Sequence, residues 1–525
     1  MVRSADIPQA TVETVVRVVK AVADGAANPD DIAQASSLAR RQVDYGLRAA
    51  SVLGFISEAT ANGFQVENVG RRMAAAQAKT ETFRKAWREA IAASDVLTAV
   101  SEDLLGEQPP QASALGERIS ALTGLSLHTA THRARMLLKW RHHVLRAPVG
   151  SSGMWRRVTL KNYRSIQSAD LVLAPFCVVV GRNGAGKSNF ADALVFLRDV
   201  ASDARAAVEA RGGVAGLRRH RPSRPADVTI DVRVATSEED LESNYVRHSL
   251  VIGSGKAGDW YFKKEFIAVV AGGQVKTQVE RDRKTLTIDK QGSFEDLAET
   301  SSAMLVARQL KSFRALAPLM GVRRYRLSPE AMRASQSSTD ETRLAEKGEN
   351  IAVAIRSLRE RPGFEELVTA MAKVVPGLLD ISYEQVGRNL ALKFRQSLGE
   401  NHEAEFYASE MSDGALRTLG IMVACAQMTK DELLVIEEPE ASVHAGAAQL
   451  LFELLDEASH RGAVLVTTHS AELLDAAQER EIIVCEYEHG ATKLGELARA
   501  QRELIREGLF SLAELVKAEP LRREP

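Results

Sequence analysis

Residues Gly181-Arg182-Asn183-Gly184-Ala185-Gly186-Lys187-Ser188 constrain this chain more than any other stretch, because they match G-x-x-x-x-G-K-[ST]. Phe176-Cys177-Val178-Val179-Val180 before them is a short apolar run that predicts a buried strand. Asn189 to Val200 after them carries Phe190, Ala193, Leu194 and Leu197 at helical spacing. Glycines let a backbone wrap closely around an oxyanion, so that loop N–H groups and the helix N-terminus point at it. The stretch, with Asn189 following it, therefore reads as a phosphate-binding loop. Lys187 is placed to reach terminal phosphates, and the Ser188 hydroxyl to ligate Mg²⁺.

At 525 residues the chain exceeds a single core, so roughly two to four domains are expected. Lys and Arg number 68 against 69 Asp and Glu, which leaves no global field; any nucleic-acid surface must be a local patch. Cys177, Cys425 and Cys485 are far apart in apolar runs and read as buried small hydrophobes, not as a disulfide framework or zinc site. No run of about 18 apolar residues exists, and the first thirty residues lack a signal-peptide pattern. The expectation is a soluble, cytoplasmic protein without a membrane partner.

In the N-terminal third, Val12, Val15, Val16, Val18, Val19 and Val22 predict an amphipathic helix over 11–24. Asn28-Pro29-Asp30-Asp31 reads as a cap with proline in the first turn, opening a second helix. A third helix over 39–53 places Val43, Leu47, Ala50 and Leu53 on one face, with Arg40, Arg41, Gln42, Tyr45 and Arg48 largely on others. Gly54 ends it, and Phe55-Ile56 with Asn62-Gly63-Phe64-Gln65-Val66 predicts a hairpin on an Asn-Gly turn. Helix, helix–turn–helix and hairpin is the order of a winged helix-turn-helix domain, which residues 1–75 resemble. The resemblance implies that Arg40, Arg41, Gln42 and Arg48 face a DNA major groove. Many winged helices contact only protein, and that alternative stays open.

Residues 76–147 repeat the cadence. Phe83, Trp87 and Ile91 form a stripe, Leu115, Ile119 and Leu122 another, and a helix is expected from Thr129 to Val144. A second winged-helix-like module is expected here. From Arg118 to Ala169 there are ten Lys or Arg residues and no Asp or Glu. Arg133, Arg135, Lys139 and Arg141 crowd one helix of this stretch, which reads as a patch for the phosphate backbone of double-stranded DNA. The alternative is a solvated helix face. Pro148-Val149-Gly150-Ser151-Ser152-Gly153 is the linker, and the major boundary is placed at 148–153.

Beyond it, Trp155 to Ile166 and Leu171 to Leu173 precede the loop as an antiparallel pair. Alternation at Val228, Ile230, Val232 and Val234, with later runs to Val279, predicts an antiparallel β-lobe separate from the parallel sheet. Residues 301–378 are expected to be a helical insert, and 379–525 a closing lobe. In that lobe Glu432-Leu433-Leu434-Val435-Ile436-Glu437-Glu438-Pro439-Glu440 is an apolar strand ending in acids, where open parallel sheets hold ligands. Glu437 is read as a metal ligand with Ser188, and Glu438 as the general base. Ser412-Asp413-Gly414 opens a helix whose N-terminus suits an anion, and Ala463 to Thr468 is a strand ending at His469.

In this order the four elements identify residues 154–470 as resembling an ATP-binding-cassette head of the RecF/SMC/OLD type. Within it they look like the bacterial AAA-family ATPases with a Ser-Asp-Gly signature and a Glu-Glu-Pro-Glu Walker B. Arg324-Tyr325-Arg326-Leu327-Ser328-Pro329 and Gly348-Glu349-Asn350-Ile351 look like further landmarks of that group. The resemblance implies an α/β fold, a mixed sheet with an antiparallel lobe and a helical lobe, preceded by two small, mostly α domains. It implies ATP and Mg²⁺ as cofactors, and a head-to-tail homodimer in which Ser412, Asp413 and Gly414 close over the partner's ATP. Lys187, Glu438 and His469 are the catalytic residues it implies. OLD-type nucleases carry a catalytic domain after the head; residues 471–525 leave no room for one, so an ATPase without its own nuclease is expected. Free-standing ATPases of this kind often accompany a separate nuclease or toxin in anti-phage defence. The alternatives are an ATP-gated winged-helix transcriptional regulator and a RecF-like DNA repair factor.

Overall fold

The computed structural model describes residues 10, 12–36, 38, 40–60, 63–75, 81–105, 112–140, 154–220, 226–255, 259–289, 291–295, 297–310, 315–337, 341–361, 363–399, 402–441, 443, 445–470, 474, 481–506 and 512–524. They fall into two compact units, Met1–Gly150 and Ser151–Pro525. The linker at 148–153 lies outside the described residues.

The first unit runs α1 (Val12–Ala23), α2 (Pro29–Ser36), α3 (Arg40–Val52), β1 (Ile56–Thr60), β2 (Gly63–Val66), α4 (Asn68–Ala75), α5 (Glu81–Ala93), α6 (Thr98–Leu105), α7 (Ala112–Thr123) and α8 (Leu127–Trp140). Helix, helix–turn–helix and hairpin follow in the expected order. Asn28 caps α2: its Oδ1 accepts from the Asp30 and Asp31 N–H groups at 3.0 and 2.9 Å. The strands β1 and β2 pair antiparallel, Ile56 opposite Val66, while Asn62 of the expected turn lies outside the described residues. One apolar core joins all of these elements. At its centre the Trp87 ring stands edge-on to Phe55 at 5.1 Å and to Trp140 at 5.4 Å, and Trp140 Nε1 donates to the Ala10 carbonyl at 2.7 Å.

The strands of the second unit are β3 (Trp155–Tyr163), β4 (Ile166–Leu173), β5 (Phe176–Val180), β6 (Val228–Ala235), β7 (Tyr245–Ser254), β8 (Trp260–Ala271), β9 (Gln274–Asp282), β10 (Thr285–Ile288), β11 (Gln291–Glu295), β12 (Val322–Tyr325), β13 (Gln336–Ser337), β14 (Leu378–Val386), β15 (Asn389–Gly399), β16 (His402–Tyr407), β17 (Leu433–Glu437), β18 (Ala463–Thr468), β19 (Ile482–Glu488) and β20 (Ala491–Glu496). Fourteen of them form one sheet, in the order β11-β10-β9-β8-β7-β6-β3-β4-β20-β19-β5-β18-β17-β12. The run β19-β5-β18-β17-β12 is parallel, and β6 to β11 are antiparallel. This corrects the expectation of a separate antiparallel lobe. The strand β20 folds back on β19 and meets β4 at Thr492 and Ile166, so the two parts share one hydrogen-bonded sheet.

The expected helical insert at 301–378 is also only partly helical. Its helices are short, the longest being Ile351–Arg359. Between them β12 joins the parallel edge beside β17, and β13 pairs with β15 in a second sheet completed by β14 and β16. Four-residue strands of this kind are made by the partner strand, not by their own periodicity.

Every residue of β5 is buried, and successive residues serve opposite cores. Cys177 and Val179 join the core beneath the helix α9 (Lys187–Glu209) and the antiparallel strands; Phe176, Val178 and Val180 join the core of the other face. Burial on both faces explains why the strand reads as continuous apolar sequence.

Candidate nucleotide site

The chain leaves β5 at Val180, turns through residues 181–186 and enters α9 at Lys187. Gly184 and Gly186 have φ of 80° and 111°, a region closed to most side chains. A Cβ on Gly186 would lie 2.1 Å from Thr492 Oγ1, and one on Gly181 would lie 2.2 Å from the Cys485 carbonyl oxygen. The loop is thus seated against β19 and β20. Thr492 Oγ1 donates to the Ala185 carbonyl at 2.7 Å and shares a 2.7 Å hydrogen bond with Ser165 Oγ. Asn189 Nδ2 donates to the same Ser165 Oγ at 2.6 Å. Thr492 and Ser165 are site-shaping residues that sequence reasoning missed; they are 327 positions apart and no local pattern links them.

Lys187 is buried, with Nζ donating to the carbonyls of Gly181 at 2.7 Å and Arg182 at 3.2 Å. Arg182, Asn183 and Gly184 are exposed at the loop tip, and Ala185 is buried. Ser188 Oγ donates to Glu437 Oε2 at 2.6 Å, across 249 residues of sequence. The ladder makes this meeting: Val180 aligns with Thr468, Thr467 with Glu437 and Ile436 with Tyr325, so the ends of β5, β18, β17 and β12 lie side by side.

Glu438 leaves β17 in the left-handed region, φ 48°, with its N–H donating to the Thr467 carbonyl at 2.9 Å. A non-glycine residue there costs about 1–3 kcal/mol and persists where surroundings enforce it. Its carboxylate is half-exposed, and His469 Nδ1 lies 3.7 Å from Glu438 Oε1 and 3.7 Å from Glu440 Oε1. Glu440 Oε1 accepts from Thr468 Oγ1 at 2.6 Å and from the His469 N–H at 3.3 Å. A small cavity beside these acids is lined by Tyr325, Leu327, Arg417, Glu437, Glu438 and Pro439, among others.

One turn into α9, Asp192 is the hub of a buried charge cluster. Its carboxylate accepts from Tyr163 at 2.6 Å and pairs with Arg211 at 3.0 Å, Arg164 at 3.2 Å and Arg324 at 3.2 Å. Burial pushes this carboxyl up, but Arg211, Tyr163 and Arg164 outweigh it and hold the group below the usual carboxylate range. Burial, then Asp192, raises Tyr163 well above an ordinary phenol.

The structure brings Lys187, Ser188, Glu437, Glu438 and His469 to one end of the parallel strands. It holds Ser412, Asp413 and Gly414 differently. Ser412 Oγ caps the helix Asp413–Ala426 through the Ala415 N–H at 3.2 Å, and Asp413 pairs with Arg333 at 2.5 Å. Among the described residues, no hydrogen bond or ion pair joins these three to residues 181–189.

In the first unit, Arg40, Arg41, Gln42 and Arg48 are exposed on α3. Arg40 pairs with Asp30 and Asp44, and Arg41 lies over the Tyr45 ring at 5.6 Å. Arg133 departs from the expectation of a solvent-facing contact: the residue is only 7% exposed, and desolvation lowers its pKa. Arg135 and Lys139 lie on α8, and Arg141 lies outside the described residues.

Residues 176–475 match the model of the family described as "AAA domain, putative AbiEii toxin, Type IV TA system". That span exceeds half of the 525 residues. The chain belongs to this family. A curated relative, the "Glutathione/L-cysteine transport system ATP-binding/permease protein CydD" of Haemophilus influenzae, is 32% identical over 126 residues, 24% of this chain. The matched segment spans 20% of that relative's length. Among solved structures, an SmcHead bound to the C-winged helix domain of ScpA is 15% identical with a TM-score of 0.41, covering 66% of this chain and 98% of that one. The SMC head domain from Thermotoga maritima is 13% identical with a TM-score of 0.34, covering 65% of this chain and 98% of that one. Among the described residues of this AAA-domain chain, no helix is long and apolar enough to cross a membrane.

Proposed function

We propose that this chain is a Mg²⁺-dependent ATPase whose half-site is built from residues 181–189, Glu437, Glu438 and His469. The observation that carries the reading is the 2.6 Å hydrogen bond from Ser188 to Glu437, with Lys187 at the loop base and Glu438 beside His469. The donor set suits a hard cation. Ser188 Oγ and Glu437 Oε2 are adjacent oxygens, and Glu437 Oε1 is buried without a hydrogen-bond partner. When bound, Mg²⁺ neutralises charge on the terminal phosphate oxygens. Lys187 transfers its N–H donors from the Gly181 and Arg182 carbonyls to those oxygens. Glu438 accepts the proton of the attacking water, and His469 orients it and contacts the phosphate being cleaved.

The other half of each site is assigned to Ser412, Asp413 and Gly414 of a second copy, giving a head-to-tail homodimer. That Ser412–Gly414 make their contacts away from the loop of their own chain supports this reading. The first unit is assigned to nucleic acid through Arg40, Arg41, Gln42 and Arg48, with residues 1–75 as its winged-helix-like part. The expectation of a second such module at 76–147 is not kept, since α5 to α8 share the one core and bring no strand pair among the described residues. A separate nuclease or toxin in anti-phage defence is the effector this ATPase serves. Steady-state ATP turnover with and without Mg²⁺ tests the core of the proposal, which is wrong if Glu438→Gln turns over at the wild-type rate. Static light scattering of that variant with ATP tests the dimer: a species of one-chain mass removes the composite site.

A further inference from the structure

The metal carboxylate is not alone at the strand ends. Glu437 Oε1 faces two guanidinium groups, Arg326 Nε at 3.2 Å and Arg324 Nε at 4.0 Å. A buried carboxylate with one oxygen free of hydrogen bonds needs a cation nearby, since unpaired burial is costly. The two arginines are not equivalent. Arg324 is largely buried and already committed, through Nη1 to Asp192 at 3.2 Å and through Nη2 to Glu346 at 2.8 Å. Arg326 is 50% exposed, and Glu437 is its only side-chain partner among the described residues. Its backbone is fixed where β12 ends, by an N–H donated to the Glu346 carbonyl at 2.9 Å. The side chain is free to leave while its anchor stays.

We infer that Arg326 is the exchangeable counter-ion of Glu437: it holds Oε1 when no divalent cation is present and yields that oxygen when one binds. This rests on the reading of Glu437 as a metal ligand. Cation binding is then an exchange of one positive charge for another, and the resident guanidinium opposes a bare divalent ion. The fixed Arg324 remains 4.0 Å away and keeps the carboxylate in place throughout. The arrangement favours the cation arriving with a nucleotide, whose phosphates offer the displaced guanidinium a new anion.

The test uses full-length, nucleotide-free protein with Mn²⁺ as probe, free Mn²⁺ being read by electron paramagnetic resonance. Removing the competing charge in Arg326→Gln should tighten Mn²⁺ binding about tenfold, a moderate effect for a half-exposed cation within about 4 Å. Arg326→Lys, which keeps a charge, should bind within about twofold of wild type, as expected if charge and not shape opposes the ion. A gain in affinity cannot come from a misfolded variant. Equal Mn²⁺ affinity in wild type and Arg326→Gln overturns the inference, provided that Glu437→Gln weakens binding. If Glu437→Gln binds Mn²⁺ as wild type does, the carboxylate is not a ligand, and the metal-site reading falls with the inference.

Discussion

Two motif groups of the second unit are held in opposite ways. Ser188 meets Glu437 inside one chain because the loop after β5 sets the first turn of α9 beside the end of β17, where the ladder fixes the spacing, and Lys187 folds back onto the same loop. Ser412, Asp413 and Gly414 sit on the first turn of a helix, held by a cap and by Arg333. The first group is built toward itself; the second offers its helix N-terminus elsewhere. Substitutions in the first group should therefore act on nucleotide handling within a chain. Those in the second should act on whatever the helix end is presented to.

The sharpest separation is expected from Glu438→Gln. It should lower turnover by about 10²–10⁴-fold, the usual range for losing a general base, while ATP affinity stays near wild type. Comparing kcat with nucleotide Kd reads both effects. Next in size is Asp192→Asn, which leaves Arg211, Arg164 and Arg324 without their shared anion and should cost about 3–5 kcal/mol in denaturant unfolding. The wild-type contribution also has a defined pH sign. Because the folded pKa lies below the unfolded value of about 3.9, the stabilisation is complete above that value and is lost as pH falls through the folded pKa. The asparagine variant should lack this component of acid sensitivity.

Lys187→Ala should weaken ATP binding by about 2 kcal/mol, the scale of a charge-assisted hydrogen bond, measured by titration calorimetry. An unchanged affinity would mean that the lysine stays on the Gly181 and Arg182 carbonyls and never reaches phosphate. The smallest effect on folding should come from Arg333→Ala, whose partly exposed pair with Asp413 is worth about 0–1 kcal/mol. Its informative outcome is kinetic. Turnover should fall while single-chain ATP affinity holds, and a drop in affinity instead would place the helix end in the same chain's site.

The cysteines read correctly as apolar filler. All three are buried free thiols, and burial pushes Cys425 and Cys485 up to about 12, so neither is a nucleophile at neutral pH. The parallel strands were equally legible. Phe176–Val180, Leu433–Glu437 and Ala463–Thr468 are covered on both faces, which demands unbroken apolar sequence. Less legible were the strands that owe their existence to a partner. Val322–Tyr325 looks like part of a helical insert until β17 pairs with it. In the basic stretch one residue departs from its reading: an acid-free run from Arg118 to Ala169 says nothing about depth, and Arg133 is buried.

By itself the sequence determined the form of the loop at 181–188, since Gly-x-x-x-x-Gly-Lys-Ser between a strand and a helix leaves the backbone few alternatives. It also determined which acids and which histidine end the neighbouring strands, because β-strand burial writes itself as apolar runs with polar ends. Tertiary structure alone decided the partners. It placed Ser188 on Glu437, Thr492 and Ser165 beneath the loop, and Arg326 across from Glu437. The reason is physical. Periodicity records which face of an element is buried, whereas long-range pairing depends on strand order and register, which no local pattern of residues carries.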